Sequence, residues 1–314
     1  MADIDKIVVI TQRTMLDELV ERFNTRDQAR FYIEHMGESF DEYQAAHDTY
    51  QGSREQLGRS LPKGVRSHFI DRKYLPNFLF GERDLVVTLG RDGLVVNTAK
   101  YLSSQPLLAV NPDVRRIDGV LVPFSVGRAR EALRATVDGD YSVSEVSMAK
   151  AELNDGQTLH AVNDLFIGQR THASARYRLA LGRQAENQSS SGIIVSTGAG
   201  STGWLRSIMA GAAGVAGTVV GDDSVDVVRE SYKFAWDADH LLYNVREPFV
   251  SNVSSAELVC GQIHAGQALE ITSHMPQSGV IFSDGVEADY LEFNSGAVAK
   301  VGLAERKVRL VVPG

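Results

Sequence analysis

Short apolar runs and longer amphipathic stretches alternate through the first half of the chain. Lys6 to Thr11, Asp84 to Leu89 and Leu107 to Asn111 read as buried strands, whereas Met15 to Tyr50, Leu94 to Leu102 and Arg128 to Val137 carry the wider spacing of helices. That order predicts a parallel sheet wrapped by helices. The turn Asp138-Gly139-Asp140 breaks the pattern and predicts a boundary between an α/β domain, residues 1–138, and a second domain, residues 139–314. Beyond it short runs recur at Val143 to Leu153, His160 to Ile167, Tyr177 to Leu181, Gly192 to Thr197, Glu257 to Cys260, Ala268 to Thr272, Val280 to Ser283 and Val308 to Val312. Many short strands separated by Gly, Asp and Ser turns predict a β-rich fold, interrupted by one helix over Gly203 to Ala213. The polar stretch Gln184 to Ser191 reads as an exposed loop, and Gly221 to Asp239 is acidic without a clear pattern.

Length fits this division: 314 residues, 43% apolar and 23% charged, suffice for two cores of roughly 150 residues each. A formal charge of −8 argues against nucleic acid or an anionic membrane as partner, so an anionic ligand needs a local site. The lone Cys260 excludes an internal disulfide and a cysteine-based metal cluster, and reads as a buried, inert thiol in a reducing compartment. The acidic start running directly into a strand, and the lack of any ~20-residue apolar span, predict a cytoplasmic chain without leader or membrane anchor.

Four motifs could carry chemistry. Gly90-Arg91-Asp92-Gly93 joins a buried strand to a helix, where glycines let main-chain N–H groups approach a phosphate at a helix N-terminus. Asp92 there could take a proton from an attacking hydroxyl or help hold Mg²⁺, although Asp and Gly also make ordinary turns and caps. Asn163 and Asp164, poor strand formers in an apolar run, could meet a purine edge and ribose hydroxyls, or end the strand in a turn. Ser196 to Trp204 links a strand to a helix with small residues and hydroxyls, offering Thr197, Ala199, Ser201 and Thr202 to a flat ligand. Gly198, Gly200 and Gly203, with Asp222 and Asp223 further on, also match a dinucleotide fingerprint and hence a dehydrogenase, but in the β-rich half and without a sound second strand. Asp284-Gly285, after Val280 to Ser283, reads as a hairpin turn. The histidines show no metal-ligand spacing, and neither a nucleophile elbow nor a Walker loop occurs.

In this order the four motifs resemble those of the NAD kinase family, most closely its mitochondrial-type branch and bacterial relatives. The similarity spans roughly Asp84 to Ala299, taking in Ala109 to Asp113, Ser191-Gly192 and Val245 to Pro248, with a weaker match at Lys6 to Thr14. The resemblance implies a Rossmann-like α/β domain and a β-sandwich-like domain with the active site in the cleft between them. It implies phosphoryl transfer from ATP, with Mg²⁺, to the 2′-hydroxyl of the adenosine ribose of NAD. Asp92 would be the catalytic carboxylate, Asn163 and Asp164 would hold the adenosine portion, and Thr197, Ala199 and Ser201 would line the dinucleotide site. A homodimer or homotetramer is also implied. Arg91 stands where the family has a second glycine, Leu94 replaces a threonine, and Ser191 occupies a position often acidic in bacterial members. Arg91 could grip phosphates bidentately or obstruct the donor. A related small-molecule kinase and a non-catalytic dinucleotide sensor are the alternative functions.

Overall fold

A computed structural model describes residues 4–220 and 232–314. The chain divides into two compact units, the first running to Ser144 and taking back Arg309–Gly314, the second Glu145–Val308. The division falls a few residues past the Asp138-Gly139-Asp140 turn, where Gly139 at φ 84° ends the last helix of the first unit in a left-handed conformation that glycine adopts without strain.

The first unit is a parallel sheet with helices. Its elements are β1 (Lys6–Thr11), α1 (Met15–Phe23), α2 (Arg26–His35), α3 (Phe40–Ser60), β2 (Arg66–Asp71), a 3₁₀ turn (Arg72–Asn77), β3 (Asp84–Leu89), α4 (Asp92–Ala99), β4 (Pro106–Asn111), β5 (Phe124–Ser125) and α5 (Val126–Asp138). Strand order is β2-β1-β3-β4, all parallel, with β5 and the end of the last strand at Arg309 and Leu310 both beside β4. β3 and β4 are buried at every residue, as continuous apolar runs in a sheet covered on both faces must be. The Met15 to Tyr50 stretch resolves into three helices because three caps interrupt it. Thr14 closes a reciprocal box with Asp17, Thr25 accepts from the Gln28 N–H, and Ser39 precedes α3.

The second unit is two sheets around one core. It comprises β6 (Ser142–Leu153), β7 (Thr158–Ala161), β8 (Asp164–Gln169), β9 (Ala175–Leu181), β10 (Gln184–Ser190), β11 (Ile193–Ser196), a 3₁₀ turn (Gly200–Thr202), α6 (Trp204–Val220), β12 (His240–Val245), β13 (Cys260–His264), β14 (Leu269–Ser273), β15 (Gly279–Ser283), β16 (Val286–Glu292) and β17 (Val298–Val312). One sheet places β10-β9-β14-β17 side by side with β6 and β7 following β17; the other runs β13-β12-β11-β8-β15-β16, antiparallel throughout. Leu165, Ile193, Val195 and Ile281 from the second meet Tyr177, Ile271, Ala299 and Val301 from the first in one buried cluster.

Two expectations change. Gln184 to Ser191 is not a loop: β10 pairs with β9 from Gln184↔Leu181 to Ser190↔Ala175, and its polar composition suits a sheet edge. Tyr177 fixes the pair by sharing hydrogen bonds with Gln188 (3.0 Å) and Ser190 (2.7 Å). Cys260 is exposed, because it starts the edge strand β13 on its outward face.

Candidate functional site

In the first unit the glycine–aspartate turn sits between β3 and α4. Gly90 donates to Val110 O at 3.1 Å, and a Cβ there would lie 2.8 Å from a terminal methyl of Leu94, so a larger residue would have to move that side chain. Arg91 is the N-cap of α4 but its side chain caps nothing, and it is exposed. Asp92 opens the helix. Its Oδ1 accepts the Leu121 N–H at 2.9 Å and its Oδ2 the Val120 N–H at 3.1 Å, which ties the loop after β4 to the helix N-terminus. That loop is itself shaped by Asn111, whose side chain donates to Ile117 O and accepts from the Asp113 N–H, both at 2.9 Å. Gly93 has open space where a Cβ would be.

A cavity of about 830 Å³ lies over the ends of β1, β2, β3 and β4. Gly90 and Arg91 line it, together with Arg13, Tyr50 and Arg72. None of the latter three stood out in the sequence. Tyr50 lies mid-helix in a stretch read only as amphipathic, and Arg72 follows a polar edge strand that shows no apolar run. The strand-end position itself is the signal that could have pointed to them, since open parallel sheets bind ligands outside the carboxyl ends of their strands.

In the second unit the structure ties Asn163 and Asp164 to a residue read as a plain hairpin turn, and docks the loop of Thr197, Ala199, Ser201 and Thr202 on Val162 and Asn163. Asp284, between β15 and β16 at φ 54°, accepts three N–H groups: Asn163 (2.7 Å) and Asp164 (3.3 Å) on Oδ1, Val162 (3.1 Å) on Oδ2. Its own N–H returns to Asp164 O at 2.9 Å. The glycine loop then docks on this corner. Thr197 donates its N–H to Asn163 O (2.9 Å) and its hydroxyl to Val162 O, while Ser201 and Thr202 turn theirs onto the carbonyls of Gly198 (2.7 Å) and Ala199 (3.3 Å). Gly198 and Gly200 are needed for contact: added Cβ atoms would meet Ala235 O at 1.9 Å and Asn163 O at 2.2 Å. The apparent dinucleotide fingerprint is therefore a packing motif, since β11 pairs antiparallel on both sides and forms no βαβ unit. Asp222 and Asp223 lie outside the described residues.

Asp164 is the unusual group. It is only 7% exposed and its Oδ1 has no hydrogen-bond partner. Burial pushes its carboxyl up to about 7; the Ser196 hydroxyl opposes the shift and the nearby Asp284 charge adds to it. A buried carboxyl with an unused oxygen can accept from a ligand hydroxyl or, protonated, donate to one.

A parallel α/β unit with a glycine–aspartate turn at a strand end, followed by a double-sheet unit with a polar corner, defines a two-unit protein of α/β plus β class. No protein-family model matches the chain. It is 28% identical over 258 residues to a probable NADH kinase of Oryza sativa subsp. japonica, covering 72% of this chain and 73% of that protein. It is 33% identical over 130 residues to the NAD kinase of Heliobacterium modesticaldum, a match covering 40% of this chain and 46% of the bacterial protein. Among solved structures, a yeast NADH kinase complexed with NADH superimposes with TM-score 0.58 at 15% identity, covering 98% of this chain and 84% of its own. An NAD kinase from Archaeoglobus fulgidus in complex with ATP gives 0.57 at 15%, covering 97% and 92%. The chain is thus similar in sequence to NAD and NADH kinases and shares their fold. No helix among the described residues is long and apolar enough to cross a membrane.

Proposed function

We propose that the chain transfers the γ-phosphoryl group of ATP to the 2′-hydroxyl of the adenosine ribose of NAD, giving NADP and ADP. The observation that carries this reading is that a chain with these relatives holds a prepared polar site in each unit: a carboxylate at a helix N-terminus beside a glycine turn in the first, and a buried aspartate with a free oxygen beside Asn163 in the second. In this reading Asp92 takes the proton as the ribose oxygen bonds to the γ-phosphorus and the bridging oxygen leaves with ADP. Gly90, Arg91 and Gly93 face the donor phosphates, with the N–H groups of α4 adding partial positive charge. Asn163 and Asp164 hold the adenosine portion of NAD, and Thr197, Ala199, Ser201 and Thr202 form the wall behind it. Because phosphoryl transfer needs little covalent help, positioning and charge supply most of the rate.

No group of three or more metal-ligating side chains occurs among the described residues. Both Asp92 oxygens already hold N–H groups but keep further lone pairs, so these residues fit a Mg²⁺ ion that arrives on the donor's phosphates and takes at most one carboxylate from the protein. There it would neutralise phosphate charge. A cytoplasmic homodimer or homotetramer completes the proposal.

The test is NADP formation from NAD, ATP and Mg²⁺, beside Asp92→Asn. We expect activity in the wild type and a loss of about 10²-fold or more in the variant. Absence of NADP with NAD or NADH and any triphosphate would sink the reading.

A further inference from the structure

We infer that the donor's polyphosphate chain is gripped by two guanidiniums from separate strand ends, Arg91 after β3 and Arg72 after β2, in the cavity of the first unit. This rests on the kinase reading and adds to it a second anchoring residue and a positioning residue, Tyr50.

Charge pairing singles these two out. Of the basic residues lining the cavity, Arg13 pairs with Glu21 and Arg116 with Asp113 at 3.3 Å, while Lys73 lies over the Tyr74 ring at 5.0 Å. Arg72 and Arg91 have no hydrogen-bond, ion-pair or ring partner among the described residues, and both are exposed to the cavity's solvent. The lining sets Glu18, Glu21, Glu42, Asp71 and Asp113 against five basic side chains, so in a chain of net charge −8 this surface is neutral overall, and the two uncommitted guanidiniums are the cations it leaves to meet an anion. A planar fork binds a phosphate through two parallel bonds, so two forks match a polyphosphate better than a single phosphate or carboxylate. The size also agrees, since about 830 Å³ lies within the range of small-ligand sites. Met15, Tyr43 and Ile117 in the same wall offer apolar surface for a nucleoside.

Tyr50 fixes the floor beneath the grip. Its hydroxyl accepts the Gln12 N–H at 2.9 Å and donates to Leu89 O at 3.2 Å, so one side chain from α3 ties the end of β1 to the residue before Gly90. The tie is buried, and the phenol stays neutral because burial pushes its titration up to about 12. Tyr50 touches no phosphate in this account; it holds the turn that presents Arg91.

The experiment combines steady-state kinetics with direct binding of inorganic tripolyphosphate and a non-hydrolysable ATP analogue. Arg72→Gln, exposed and without partners, should melt as the wild type does. We expect it to raise KM for ATP about tenfold and to weaken tripolyphosphate binding alike, leaving KM for NAD within about twofold, with Arg72→Lys recovering part of the loss. Tyr50→Phe should raise KM for ATP about threefold and leave both KM for NAD and the pH profile of kcat unmoved. Wild-type donor KM and tripolyphosphate affinity in Arg72→Gln would overturn the inference. An inactive wild type would defeat the kinase reading alone: tripolyphosphate binding that Arg72→Gln weakens would still support the grip, and no binding to the wild type would overturn it.

Discussion

The two polar turns of this protein are built in opposite ways. In the first unit the β3–α4 turn is held from outside, by Tyr50 below and by the loop clasped in Asp92, while the Arg91 side chain is exposed and a Cβ at Gly93 would meet nothing within 4 Å. In the second unit the loop Thr197–Gly203 consumes its own hydroxyls, fits glycines against carbonyl oxygens and rests on a buried aspartate corner. The first leaves charge and backbone free for a ligand of high charge. The second is a close-packed loop beside a buried, unspent carboxyl oxygen of Asp164, which can meet a ligand hydroxyl. A phosphoryl transfer between an anionic donor and a nucleoside hydroxyl asks for one of each.

The contrast breaks most sharply at the glycines. Gly200→Ala would drive a Cβ to 2.2 Å from Asn163 O, a backbone atom that cannot rotate away. We expect a loss of about 3 kcal/mol or more, visible as a large fall in Tm or as insoluble protein. A variant that melts with the wild type would mean the loop does not dock on the Asn163 corner.

Next in size is the pH dependence set by Asp164. Its folded carboxyl titrates at about 7, above the 3.8 of the free group, so the folded state binds the extra proton more tightly than the unfolded one. Stability from this group is therefore greatest below about pH 4 and falls as pH rises toward 7, by at most about 4 kcal/mol. Asp164→Asn removes the titration. Thermal melts between pH 4 and 8 should show the variant gaining about 1–3 kcal/mol on the wild type at neutral pH and little at pH 4. Parallel profiles would place the carboxyl in water, outside the polar corner.

Much of this was legible in the sequence because chemistry there breaks a local rule. Asp92 beside glycines at a strand end and Asn163-Asp164 inside an apolar run are visible misfits. Parallel and antiparallel halves also announce themselves, since β3 and β4 are mainly apolar and buried throughout while β9 alternates buried and exposed residues. What stayed hidden depends on long-range pairing. Asp284 reads as a turn until its carboxylate is seen holding residues some 120 positions earlier in the chain. β2 and β10 are polar edge strands whose partners, not their composition, make them strands. Tyr50 and Arg72 gain meaning only when β1, β2 and β3 stand side by side. The same blindness placed Cys260 inside, because a sheet edge cannot be told from a sheet centre by one residue.

The smallest effect is expected at Gly93, and it sharpens the comparison most cleanly. A Cβ there meets nothing within 4 Å, in contrast to Gly200. The residue lies in the first turn of α4 without a positive φ, so alanine fits the backbone and lowers the entropy of the unfolded chain. Gly93→Ala should therefore raise stability by about 0.5–1 kcal/mol. If donor phosphates approach the α4 N–H groups, the new methyl stands in their path, and KM for ATP should rise about threefold while KM for NAD holds. A more stable protein with unchanged KM would confine the donor contact to Gly90 and the two guanidiniums. Gain in stability together with loss of donor affinity would show that this glycine is kept for the ligand and not for the fold.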